Sequence, residues 1–72
     1  MNFSEALELM KQGKEVRCLG WNGCGMTVQA QYPDENSMMT EPYLYMRIGV
    51  LTRLPWTPSQ KDLFSVEWEI AD

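Results

Sequence analysis

EVRCLGWNGCGMTVQAQY, residues 15–32, contains two runs in which apolar and polar side chains alternate, with a glycine-rich segment between them. Alternation with a period of two predicts strands with one buried face, here residues 15–19 and 26–32. Three glycines and an asparagine within residues 20–25 predict a turn with positive φ angles. The two runs are therefore predicted to pair as an antiparallel hairpin.

The segment before this hairpin predicts a helix over residues 2–12. Asn2 is a suitable N-cap, because Glu5 stands three positions later and completes a capping box. Gly13 stands where a helix commonly ends in a left-handed residue. Apolar side chains recur at helical spacing and form one stripe: Phe3, Ala6, Leu7 and Met10.

Two further strands are predicted after the hairpin, at residues 43–48 and 51–54, the second ended by Pro55. Both faces of the 43–48 strand carry large apolar side chains. Large apolar side chains on both faces are typical of a strand that is buried on both sides. We therefore expect the helix to cover one face and another subunit to cover the other.

The chain closes with a predicted helical turn and a last strand. Ser59 followed by Asp62 is the pattern of a capped turn. After it, Val66, Trp68 and Ile70 alternate with glutamates and are predicted to point inward. The expected fold class is therefore α+β, an N-terminal helix packed on a small antiparallel sheet of about five strands, with a short helical turn before the last strand.

The size and composition of the chain limit the classes of function that it can have. Its 72 residues predict a single domain over 1–72, and its net charge of −4 argues against a protein that holds long nucleic acid. No apolar run approaches the roughly 20 residues of a membrane span. A domain this short that carries three Trp and six Met is expected to bury part of its surface against copies of itself, as a homo-oligomer.

The sequence contains few residues suited to catalysis or to binding a metal ion. The sequence contains no histidine, which removes the usual general base and the commonest metal ligand. Cys18 and Cys24 alone do not make a zinc site; a disulfide between them stays open, although the absence of a secretory start favours the reducing cytoplasm. Glu67 and Glu69 form the one candidate pair for a minimal hydrolase, and a solvated edge is the stronger interpretation. We expect no catalytic residue, metal or cofactor.

Two tryptophans on loops are the best candidates for contacts with a ligand. Trp21 stands at the tip of a tight turn, where a large indole has little core of its own to join. Trp56 is held between Pro55 and Pro58, and rigid aromatic faces suit stacking on a planar base. Core filling is the alternative for both, and it is the stronger interpretation for Trp68.

Three arginines on predicted strands are candidates for contacts with phosphate: Arg17, Arg47 and Arg53. Ion pairs with surface glutamates are the plainer alternative for each.

Several separated segments, in order, resemble the second Thoeris anti-defence family of small bacteriophage and prophage proteins. They are NFSEAL (2–7), GWNG (20–23), GM (25–26), PYLYM (42–46), WTPSQKDL (56–63) and WEI (68–70). The resemblance implies a helix on an antiparallel sheet and a non-catalytic tetramer in the host bacterial cytoplasm. It further implies a sponge that sequesters cyclic ADP-ribose-type signals or, in some relatives, cyclic oligonucleotides.

By the same resemblance, the ligand pocket between subunits is expected to involve Trp21, Asn22 and Trp56, with Phe3, Ser59 and Asp62 as weaker candidates. The aromatic rings would stack on the ligand, and Asn22, Ser59 and Asp62 would form hydrogen bonds with ribose or base. Asp62 alternatively only caps its helical turn. The rival from another class is a protein-binding module that inhibits a host factor through the exposed aromatics.

Overall fold

Five antiparallel strands form one sheet in the order β4-β3-β2-β1-β5 in a computed structural model that describes residues 1–21 and 25–71. The elements in chain order are α1 (Phe3–Lys11), β1 (Val16–Cys18), β2 (Met26–Gln31), β3 (Tyr43–Ile48), β4 (Thr52–Pro55), α2 (Gln60–Phe64) and β5 (Trp68–Ile70). The predicted α+β class is confirmed, as is the antiparallel pairing of β1 with β2, in which Val16 lies opposite Val28.

Both ends of α1 form as predicted. Asn2 Oδ1 accepts the Glu5 backbone N–H at 2.9 Å, and Glu5 Oε1 accepts the Asn2 N–H at 3.0 Å, so the capping box is complete. Gly13 adopts a φ of +89°, and the Lys14 N–H reaches back to the Leu9 carbonyl at 3.0 Å. This bond satisfies a carbonyl that the end of the helix would otherwise leave free.

The core lies between α1 and one face of the sheet. Burying these apolar side chains against each other provides the main driving force for folding. The fully or nearly fully buried members are Ala6, Met10, Val16, Cys18, Val28 and Trp68. Partly buried Leu44 and Met46 extend this core onto β3.

The opposite face of the sheet carries two ion pairs. Arg17 Nε lies 2.6 Å from Glu69, and an Arg47 terminal nitrogen lies 2.9 Å from Glu15. Two of the three candidate arginines, Arg17 and Arg47, therefore form ion pairs with glutamates. The third, Arg53, is exposed on β4. Coverage of this face by a second subunit stays a prediction.

The closing strand is shorter than predicted, and the inward placement of Val66 is wrong. Val66 is 71% exposed, and β5 begins only at Trp68. The Glu67 N–H bonds to Ser65 Oγ at 3.1 Å, which bends the chain before the strand starts. Ile70 is also 46% exposed, because β5 is an edge strand with only β1 beside it. Of the three residues predicted to point inward, Trp68 is the one that is buried in the core, as its alternating position predicted.

Strand β4 is displaced by one residue from its prediction. Pro55 is its last member and lies opposite Tyr45, instead of ending the strand before it. Proline is tolerated there because β4 is an edge strand and needs no N–H on its open side. Within the described ranges, no helix is long and apolar enough to cross a membrane, and no cluster of side chains has the makings of a metal site.

Candidate functional site

Four aromatic rings form one cluster, the aromatic cluster: Phe3, Trp21, Trp56 and Trp68. The Trp21 ring lies 5.2 Å from that of Trp68 and 6.0 Å from that of Trp56, both edge to face. Phe3 lies 5.5 Å from Trp68 and 6.5 Å from Trp56. These separations and tilts are those that aromatic pairs prefer.

The expectation that Trp21 lacks a core of its own to join is wrong. The segment after β1 folds back, with the Trp21 N–H donating to the Cys18 carbonyl at 3.1 Å. This turn brings the indole over Trp68, and Trp21 becomes half-buried against the core. This contact is not predictable from the local sequence, because residues 21 and 68 meet only when β5 pairs with β1.

Beside the aromatic cluster lies a cavity of about 590 Å³, the Trp21 cavity, a volume within the range of small-molecule sites. It is lined by Cys18, Gly20, Trp21, Met26, Ser59, Lys61, Asp62, Phe64, Ser65 and Glu67. Of the residues predicted to bind ligand, Trp21, Ser59 and Asp62 line this cavity. Phe3 and Trp56 belong to the aromatic cluster and not to the lining, and Asn22 lies outside the described residues.

Helix α2 forms one wall of the cavity. Ser59 is its N-cap: Ser59 Oγ accepts the Asp62 N–H at 3.1 Å, and Asp62 Oδ2 accepts the Ser59 N–H at 2.9 Å. The predicted capped turn is thus confirmed, and it extends to the five residues Gln60–Phe64. The cap fixes where the helix begins and hence where its side chains meet the sheet.

Asp62 also joins α2 to two of the tryptophans. Its Oδ1 accepts the indole N–H of Trp21 at 3.0 Å, and its backbone carbonyl accepts the indole N–H of Trp68 at 3.0 Å. Partly buried indole nitrogens require such acceptors. One residue therefore satisfies both.

The pKa of the Asp62 carboxyl lies below its usual range. Burial acts to raise this pKa, but hydrogen bonds from the Trp21 indole and from the Ser59 backbone and hydroxyl favour the ionised form. The charge of Lys61 adds to them. Asp62 is therefore an anion at neutral pH.

This lowered pKa predicts how stability depends on pH. A carboxyl whose pKa is lower in the folded state stabilises the fold above its ordinary pKa of about 4 and loses that contribution as pH falls through the folded value. We expect Asp62→Asn to be less stable than the unmodified chain at neutral pH, with a difference that shrinks below about pH 4. Urea unfolding across this range would measure it, and a difference that stays constant with pH would contradict the assignment.

Several lining residues were not predicted. Lys61 and Phe64 lie on α2 and Ser65 is its C-cap, and Phe64 is 81% exposed, which is an unusual place for such a ring. Glu67 is exposed, as expected of a solvated surface glutamate, and its carboxylate also lies near Gly20 on the cavity wall. Cys18 has a free thiol, and its Sγ lies 3.4 Å from Ser65 Oγ.

The candidate arginines lie elsewhere. None of the three lines the Trp21 cavity, and Arg53 instead lines a depression of about 220 Å³ at the β3–β4 edge, beside Tyr43 and Tyr45. Lys61 is thus the cation of this cavity's described lining.

Two comparisons with known proteins give matches over nearly the whole chain. The family model described as Thoeris anti-defense 2-like domain matches residues 1–71. The chain is also similar to a protein named Thoeris anti-defense 2 from Bacillus phage SP01. The two are 32% identical over 83 aligned positions, which cover 97% of this chain and 93% of the phage protein.

Proposed function

This chain belongs to the Thoeris anti-defense 2 family, and on that premise we propose that it binds a cyclic ADP-ribose-type or related cyclic nucleotide signal and sequesters it uncleaved. The observation that carries the proposal is the Trp21 cavity, a space of ligand size with a half-buried indole on its wall. Bound signal is withheld from the host effector, and we place the protein in the host bacterial cytoplasm.

The cavity lining supports a nucleotide better than a purely apolar ligand. The Trp21 indole offers a face for a base, and base–aromatic stacking is worth about 1 to 3 kcal/mol. Lys61 provides a positive charge for phosphate, and Glu67 provides an acceptor for ribose hydroxyls or base amino groups. Neither takes part in an ion pair within the described ranges, so both are available to a ligand.

The side chains at hand support sequestration without cleavage. The described lining offers no histidine, and of its two carboxylates Asp62 already accepts two hydrogen bonds, whereas Glu67 is left as an acceptor for the ligand. A general base needs reach to the substrate and a pKa near the working pH, and the lowered pKa of Asp62 opposes that role.

Association between copies is part of the proposal, with a tetramer favoured. Three large apolar side chains near the cavity are mostly exposed: Leu19 at 59%, Phe64 at 81% and Val66 at 71%. The Leu19 N–H bonds to the Glu67 carbonyl at 2.9 Å, which places this group beside the cavity wall. Apolar surface gathered around a site is typical of contacts between subunits.

A capture experiment tests the function. We expect the purified protein to deplete a cyclic ADP-ribose isomer, or another member of a cyclic nucleotide panel, from the filtrate. Heating should then release the nucleotide with its mass and retention time unchanged, because binding alone has removed it. Native mass spectrometry of the same mixture would count subunits and bound nucleotides together.

Matched variants sharpen that experiment. Lys61→Gln removes the cavity's positive charge, whereas Lys11→Gln removes a positive charge on the exposed face of α1, together with a weak 3.5 Å pair with Glu8. Capture should fall in the first and persist in the second. Recovery of a cleaved product would make the protein an enzyme, and no depletion of any nucleotide would favour a protein-binding module.

A further inference from the structure

The side chain of Asp62 is already engaged within its own chain, although it lies on the wall of the Trp21 cavity. One carboxylate oxygen accepts the Trp21 indole N–H at 3.0 Å, and the other accepts the Ser59 backbone N–H at 2.9 Å. Both bonds are charge-assisted and hence stronger than bonds between neutral groups. A ligand that approached either oxygen from the same direction would have to break one of these two hydrogen bonds.

The bond to Trp21 fixes the orientation of the ring. An indole that contacts its neighbours edge to face, at 5.2 Å and 6.0 Å, keeps freedom to tilt unless its polar edge is anchored. The anchor here is a residue of α2, and the capping box sets the position of that residue in turn. Ring and helix are thus joined through one carboxylate.

We propose that Asp62 is a positioning residue of the Trp21 cavity, which holds the Trp21 indole against α2 so that ring and helix form one rigid wall, and which does not itself contact the ligand. The inference rests on the proposed function for the identity of the ligand. It deepens that function by separating the residue that stacks, Trp21, from the residue that sets how it stacks. Pre-organising a wall in this way lowers the cost of ordering it when a ligand binds.

A double-mutant cycle separates this role from direct contact with ligand. Trp21→Phe keeps a ring but removes the indole N–H, so Asp62 then has nothing to anchor. With cyclic ADP-ribose and its isomers as probes, Asp62→Ala should weaken binding about tenfold in the unmodified chain. In the Trp21→Phe background the same change should weaken binding less than about twofold, since the two share one interaction.

Two controls cover the loss of the α2 cap. Asn2→Ala removes an equivalent capping box on α1 and should lower stability while leaving affinity within about twofold. Asp62→Asn keeps one carbonyl acceptor for the indole and should retain more affinity than Asp62→Ala. It also serves as the second variant if Asp62→Ala does not fold.

A spectroscopic readout tests the anchor without any ligand. Hydrogen exchange of the Trp21 indole N–H should be slow in the unmodified chain and fast in Asp62→Ala. The Trp68 indole N–H, whose acceptor is the backbone carbonyl at position 62, should stay protected in both.

The outcomes are distinct. Continued protection of the Trp21 indole in Asp62→Ala, or an equal loss of affinity in both backgrounds, would overturn the positioning role. If the unmodified chain bound no nucleotide at all, the proposed function would be wrong, and the indole exchange would still decide whether Asp62 anchors the ring.

Discussion

Replacing Trp68 with alanine is expected to remove a large part of the domain's free energy of unfolding. Trp68 is 2% exposed, contacts three other rings and is the largest fully buried side chain. Truncation of a buried aromatic residue costs about 3 to 5 kcal/mol. A chain of 72 residues has a free energy of unfolding of about 4 to 11 kcal/mol in total, so this loss consumes much of it.

Urea unfolding followed by circular dichroism would measure this loss. Trp68→Phe is the matched control, because it keeps a ring in the core while removing part of the buried ring volume and the bond from the indole to the Asp62 carbonyl. We expect it to remain folded with a smaller loss. A decrease of under about 1 kcal/mol for Trp68→Ala would mean that the core does not depend on this ring.

The second large effect is expected on ligand capture, from Trp21→Ala. Removing the ring from the cavity wall removes a stack worth about 1 to 3 kcal/mol, which corresponds to a loss of affinity of about 5- to 150-fold. Titration of the nucleotide that the protein captures would measure it. Trp21→Phe should retain part of the affinity because a smaller ring remains.

Trp56→Ala provides the comparison. Trp56 packs on Trp21 at 6.0 Å without lining the cavity, so its loss should lower stability and weaken capture less than Trp21→Ala does. Equal losses of affinity would place Trp56 on the ligand as well. Capture that persists within about twofold in Trp21→Ala would remove the indole from the proposed site.

The helix, the hairpin and the capped turn were predictable because their signals are local. Asn2 with Glu5, and Ser59 with Asp62, each satisfy backbone groups within three residues, and no distant contact is needed to interpret them. The exposure of Val66 was not predictable in the same way. It depends on a hydrogen bond that the Glu67 N–H donates to Ser65 Oγ, which bends the chain before an edge strand.

The aromatic residues of the candidate site were predictable from the sequence, whereas the charged residues of its lining were not. Trp21 and Trp56 are conspicuous on loops in the sequence, but their contact with each other depends on how β4 and β1 are placed in the sheet. Lys61 and Glu67 carry no pattern that distinguishes them from surface charges. Only the fold shows that both line the same cavity.

Trp21 and Trp68 share a contact, so the ring that holds the monomer together also supports the ring offered to a ligand. A substitution at either tryptophan that changed which ligand is bound would also lower the stability of the fold. Selection for folded protein should therefore act against such substitutions. Divergence in which molecule is captured should accumulate instead at Lys61, Ser65 and Glu67, which line the cavity without belonging to the buried core. On the proposed function, relatives that capture different nucleotides are expected to differ first at those three positions.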